Sequence, residues 1–279
     1  MSFQPEAFDD SVELIFGIAG GLSVVSEAES FFIEADAVKM QKRELKRKDL
    51  AIMKNYIEKS MTFAEYIKLI DDLLLDGKTT GTNQSEAMFN YGKLNRRRMH
   101  RLEKTVKLSD SVKEKARGVR RKMIWLIITE GWCGDAAQNI PTIEKIAAEN
   151  PEKIQTRYVL RDENLELMDR YLTHNARSIP KLVALDAETL EELGTWGPRP
   201  QAAMDYFFEM KENGLGKPEM MENIQRWYLQ DKEQSLQKEF EVLLDEWSDL
   251  KEAEARASGK GGAGLRIADL PLNNNQSSL

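Results

Sequence analysis

The sequence predicts an α/β fold, a central mixed sheet of four to five strands flanked by helices, with added N-terminal helices and a long C-terminal helix. Three observations lead there. Residues 123–129, "MIWLIIT", form a continuous apolar run, the signature of a strand buried on both faces. From that run onward, strand-like and helix-like stretches follow in the order β-α-β-α-β-β-α, which suits a small mixed sheet with helices on both faces. The composition, 41% hydrophobic and 31% charged, supplies a sizeable core that needs no disulfide staples.

Residues 1–52 stand apart. Positions 1–38 hold eight acids and no Lys or Arg, and "KMQKRELKRK" then swings strongly basic. Blocks of this kind predict a mobile, dispensable extension, with a fresh start at Met53. Residues 53–122 read as helical. Thr62 can cap a helix whose apolar residues Phe63, Tyr66, Ile67, Ile70 and Leu73 recur at helical spacing. "LDGKTTGTN" is a loop by its Gly and Thr content, and two more helices follow, over about 84–106 and 109–117. Between Lys93 and Lys122 there are thirteen Lys or Arg against three acids. A solvated helical face is the expected reading, ahead of a docking site for an acidic partner or nucleic acid, because aromatics for base stacking are scarce nearby.

Residues 123–215 form the expected core. After the strand at 123–129 come a helix over 134–149, a strand at "IQTRYVL" and a helix at "NLELMDRYL". Two strands, "KLVALD" and "LEELGTW", flank a turn, and a helix begins near Pro200. Residues 216–257 read as one long helix with Leu236, Phe240, Leu243, Trp247 and Leu250 in a stripe that packs on its own domain. The polar tail 258–279 is expected to be disordered.

Several function classes are disfavoured at once. One cysteine cannot form an internal disulfide, which accords with a reducing compartment. Two histidines and one cysteine leave no zinc cage, so neither metal nor cofactor is expected. The apolar stretch "VELIFGIAGGLSVV" is too short to cross a bilayer and follows acids, so a soluble, cytoplasmic protein without membrane contact is expected. A net charge of −7 argues against general nucleic-acid binding.

The lone cysteine lies in "GWCGDAAQNIP", directly after the first strand and at the expected start of a helix. Downstream are "ARSIPKLVAL" and "TWGPRP". In this order these motifs resemble the thioredoxin family, which carries Trp-Cys-Gly-Pro-Cys after its first strand. Trp132, Cys133, Gly134 and Pro141 fall in register with that turn and with the family's helix-kinking proline. The resemblance covers about 105–215 and implies a cis bond at Ile179–Pro180 opposite Cys133, with Gly197 beside the site. The flanking helices resemble those of a bacterial group of single-domain members. Cys133 is then the reacting thiol at a helix N-terminus, where unpaired amides favour an anion. Trp132 shields the sulfur, and the Ile179 backbone beside Pro180 is left to pair with an extended peptide or glutathione. Arg177 is placed near the groove to receive a substrate carboxylate, with a solvated arginine as the alternative, and Arg199 stands at a turn set by two prolines.

This chain also departs from the family's pattern. Ala136 stands where the second cysteine belongs, and Asp135 where the intervening proline belongs. The family's buried acid falls on Ile127 and its partner lysine near Tyr158. Asp135 suits the first turn of a helix but opposes a thiolate next to it. Two functions follow. One is a monothiol redox protein, with a possible role in cell redox homeostasis. It would form mixed disulfides through Cys133 with proteins or low-molecular-weight thiols and disulfides such as glutathione, resolved by an external thiol. The other is a non-catalytic peptide- or protein-binding module. A metal site from Cys133, Asp135 and Glu130 is a distant third. An exposed, acidic Cys133 distinguishes the redox protein from the module.

Overall fold

A continuous apolar strand needs partners on both edges and cover on both faces, and β1 (Met123–Thr129) has all of them. The computed structural model describes residues 27–248, with side chains from residue 38 onward. Among these residues one four-stranded sheet runs in the order β2-β1-β3-β4. β2 (Ile154–Leu160) pairs parallel to β1, with Met123 opposite Ile154 and Thr129 opposite Leu160. β3 (Lys181–Asp186) lies antiparallel on the other edge of β1, and β4 (Glu192–Trp196) antiparallel to β3. The parallel pair needs a crossover, and α5 (Gly134–Ala148) provides it. This is the mixed, helix-flanked sheet expected from the sequence, at the lower of the two strand counts.

The chain divides into two compact units, Met1–Lys48 and Asp49–Leu279. Helix α1 (Glu27–Lys59) accounts for the described residues of the first unit. The charge blocks predict a mobile arm to residue 52, but residues 27–52 are helical. Ala, Glu, Lys and Met favour a helix, and pairs such as Glu44–Lys48 at i,i+4 add to it. The predicted boundary at Met53 falls inside this helix, and Met53 is buried in the core of the second unit. Residues 1–26 of the predicted extension and the predicted tail at 258–279 lie outside the described residues.

Three helices precede the sheet: α2 (Phe63–Leu75), α3 (Glu86–Thr105) and α4 (Asp110–Gly118). The start of α2 is fixed as its sequence predicts. Thr62 Oγ1 accepts from the Glu65 N–H, and Glu65 accepts from the Thr62 N–H at 2.7 Å, a capping box. Removing the cap by Thr62→Ala is expected to cost ~1 kcal/mol and lower the thermal midpoint by about 3 °C. An unchanged midpoint in a circular-dichroism melt would show the cap to be idle.

After the short α6 (Leu165–Asp169) and α7 (Gln201–Glu212), the C-terminal region departs from its expected form. The apolar stripe predicts one helix over 216–257. Two are present, α8 (Lys217–Asp231) and α9 (Gln234–Ser248), broken where Lys232 and Glu233 take left-handed φ values of 52° and 62°. The Asp231 carboxylate accepts from the Ser235 N–H at 3.1 Å and so starts the second helix. The stripe itself packs inward as expected: Leu236, Phe240, Leu243 and Trp247 are all buried. Leu250 lies outside the described residues. Trp247 and Phe240 meet Trp125 of β1 edge-on, with ring centroids 5.8 and 5.5 Å away. Glu239 of α9 caps α7 from a distance, because Pro200 has no side-chain oxygen to do so; it accepts from the Gln201 N–H at 2.6 Å.

Candidate functional site

Cys133 is the N-cap of α5. Its Sγ accepts from the Ala136 N–H at 3.4 Å and donates to the Ile179 carbonyl at 3.3 Å. The thiol therefore bridges a helix start and the residue before Pro180, whose peptide bond to Ile179 is cis. Cys133 is 7% exposed and Ile179 5%, so the sulfur sits inside the fold. Burial pushes the thiol up from its ordinary 9.0 to about 12, and the neighbouring Asp135 carboxylate pushes the same way. The Ala136 and Asp135 amides and the Arg199 guanidinium pull it back only in part.

Asp135 is bound into a buried network. Its Oδ2 meets Arg199 Nη2 at 2.8 Å, with the two side chains 12% and 11% exposed. The Tyr228 hydroxyl donates to Asp135 Oδ1 at 3.0 Å, and Asn139 Nδ2 donates to that hydroxyl at 3.0 Å. Both the turn "GPRP" and α8 thus converge on the first turn of α5. α8 also closes over Gly134, where a Cβ would lie 3.1 Å from Gln225 Nε2. On the other flank, Arg161 stacks on the Trp132 ring at 4.7 Å, and Gly81 of the α2–α3 loop approaches the same indole.

The remaining expected site residues divide into two groups. Gly197 is at the site, with φ 107° and its Cα facing the Pro180 carbonyl. Arg177 is engaged elsewhere: its guanidinium grips Asp169 through two bonds of 2.6 and 2.7 Å, so that fork is occupied. Glu130 accepts from the Asp162 N–H at 2.9 Å, and Asp135 is committed to Arg199, which leaves the proposed metal triad without a shared focus. Among the described residues no group of three His, Cys, Asp or Glu could hold a metal.

Behind the sulfur, the positions of the family's acid and lysine are filled differently. Ile127 is fully buried, and Tyr158 stacks on Tyr66 with centroids 5.1 Å apart and hydrogen-bonds the Glu144 carboxylate. Burial raises the Tyr158 hydroxyl and the Glu144 carboxyl alike, which takes the tyrosine further from neutrality.

In front of the turn, Trp132 to Asp135 form one wall of a cleft of about 510 Å³ between α3 and α8. Met88, Tyr91 and Leu94 of α3 and Met221 of α8 provide its apolar lining. Tyr91 and Leu94 are 54% and 42% exposed, unusual for large apolar groups on the same helix. Sequence reasoning did not place α8 or Tyr228 at the site. The only available signal was a tyrosine on the buried side of an amphipathic helix.

The strand, turn, crossover helix and antiparallel pair are those of a thioredoxin-like fold. The family model described as Thioredoxin matches residues 81–212. Two solved structures are similar to part of this chain over nearly all of their own length. One is a protein of unknown function from Pseudomonas aeruginosa, 18% identical with a TM-score of 0.46, the match covering 68% of this chain and 95% of that one. The other is an HIV epitope scaffold, 17% identical with a TM-score of 0.41, the match covering 66% and 98%. No curated protein matches the chain.

Proposed function

We propose that this thioredoxin-fold chain is a peptide- or protein-binding module rather than a disulfide reductase that turns over. One observation carries the reading: the thiol of the Trp132–Asp135 turn gives its hydrogen inward to the Ile179 carbonyl, while the turn itself walls an open cleft. A sulfur that is buried and protonated at neutral pH is a poor nucleophile. An open, partly apolar cleft is a place for a side chain to enter.

The monothiol reading stays second. Its support is that Sγ sits at a helix N-cap next to cis-Pro180. In that reaction the Cys133 thiolate attacks one sulfur of glutathione disulfide, expels a glutathione thiolate and leaves a mixed disulfide. An external thiol then attacks the mixed disulfide and releases Cys133, because Ala136 cannot.

Alkylation by iodoacetamide as a function of pH separates the two. The folded protein is expected to react slowly at pH 8, with the rate climbing toward about 12, whereas the unfolded chain titrates near its ordinary 9.0. The sign carries over to stability. The folded thiol holds its proton longer, so its contribution is intact below 9.0 and is lost as pH rises toward about 12. A random-sequence peptide array should bind wild type and Cys133→Ser equally. Rapid alkylation at neutral pH together with reductase turnover would replace the module by the redox protein, and an array without bound peptide would end the module reading.

A further inference from the structure

We infer that the cleft between α3 and α8 takes an acidic peptide segment with an apolar anchor; this rests on the binding-module reading and names its partner. Two cavities follow one another along the same pair of helices. The first, about 510 Å³, takes Tyr91, Leu94 and Arg98 from α3 and Met221 from α8. The second, about 350 Å³, takes Arg101 and Leu102 from α3, Lys107 beyond it, and Leu229 from α8 with Lys232 and Glu233 after it. The cleft thus grades from an apolar end beside Trp132 to a basic end beside Lys232.

The charge balance selects the partner. Elsewhere in the basic segment several cations are neutralised: Arg96 meets Asp71, Lys115 meets Asp245, and Arg117 meets Glu149. In the cleft, Arg98, Arg101, Lys107 and Lys232 form no ion pair with any described residue. Lys217 at the apolar end likewise has none. Three acids face the same space. Asp135 is held by Arg199 and Glu222 by Arg226 at 2.6 Å, which leaves Glu233 opposite Arg101. Burial, with repulsion from Arg101 beside it, lowers the Arg98 guanidinium. A positive surplus gathered in one cleft of a chain with net charge −7 is a local feature. It attracts carboxylates from a partner and repels another basic segment. The exposed Tyr91 and Leu94 beside it give that partner an apolar side chain to bury. Asn95 adds a polar group to the first cavity: its Oδ1 accepts from Arg98 at 2.9 Å, and its Nδ2 has no partner.

The test uses the full chain and a short labelled peptide of Asp and Glu around a central Leu-Phe pair, followed by fluorescence anisotropy. Binding is expected. It should weaken about tenfold between ~50 and ~200 mM salt. The double variant Arg101→Glu, Lys232→Glu and, separately, Leu94→Ser should each weaken it about tenfold. All three positions are on the surface, and a matching melt confirms that each variant is folded. Equal binding of a peptide with Lys in place of every acid would overturn the inference. So would full affinity in the charge-reversed variant, or displacement by an oligothymidine that binds more tightly. The peptide array separates the two levels: array binding without acidic preference removes the partner class alone, and an array with no binding removes the module as well.

Discussion

Replacing Asp135 with Asn is expected to destabilise the fold and, in the same protein, to make Cys133 more acidic. Asp135 and Arg199 are a buried pair at 2.8 Å, and Tyr228 donates to the same carboxylate. Asn cannot balance the Arg199 guanidinium, whose Nε already lacks a partner. Breaking one side of a buried ion pair costs about 3–5 kcal/mol. Meanwhile a negative charge that raises the thiol disappears and the positive charge that lowers it remains, so the Cys133 value drops below about 12. Chemical denaturation reads the first effect, and thiolate absorbance against pH reads the second. The double variant Asp135→Asn, Arg199→Met should recover most of the stability and return the thiol upward, since burial is then the dominant cause. A single variant as stable as wild type, or one whose thiol does not shift, would show that the pair does not govern this site.

Gly197→Ala is the second large effect. Gly197 has φ 107°, a conformation that side-chain-bearing residues rarely adopt. A Cβ there would run into the Pro180 carbonyl and lie 3.6 Å from Lys181 Cα. Both are backbone at the start of β3 and cannot swing away like a side-chain tip. Strain and overpacking together are expected to cost about 4 kcal/mol and to lower the thermal midpoint by about 10 °C. Relief comes by pushing Pro180 outward, which stretches the Cys133–Ile179 bond, so alkylation of Cys133 should speed up in the folded variant. A midpoint within about 2 °C of wild type would refute the argument.

The parts of the fold legible in the sequence are those that local chemistry dictates. The unbroken run from Met123 to Thr129 reads as an interior strand, and Thr62 with Glu65 writes a helix start into a few residues. The turn at Trp132–Gly134 and the Ile179–Pro180 pair are likewise local, and they lie opposite each other as the resemblance implies. What escaped is tertiary. No Gly or Pro marks the break at Lys232, because Asp231 and Ser235 make it with side chains. The Asp135–Arg199 pair and the Tyr228 bond join residues far apart in sequence, and nothing in the first turn of α5 announces them. Arg177 had a plausible place near the groove, but Asp169 in the neighbouring helix holds it. The basic segment was legible as composition only; which of its cations face acids and which face the cleft depends on α8 and α9.

The inward-facing thiol has one more effect, on the chain's handling by oxidants. Cys133 is the sole sulfur able to form a disulfide, and it is 7% exposed, protonated and bonded to Ile179. With the sulfur this buried, folded copies are expected to form covalent dimers only slowly in air. Peroxide, which attacks accessible thiolates first, meets neither access nor charge. The folded chain is therefore expected to respond weakly to the redox poise around it, which a non-reducing gel after peroxide treatment checks.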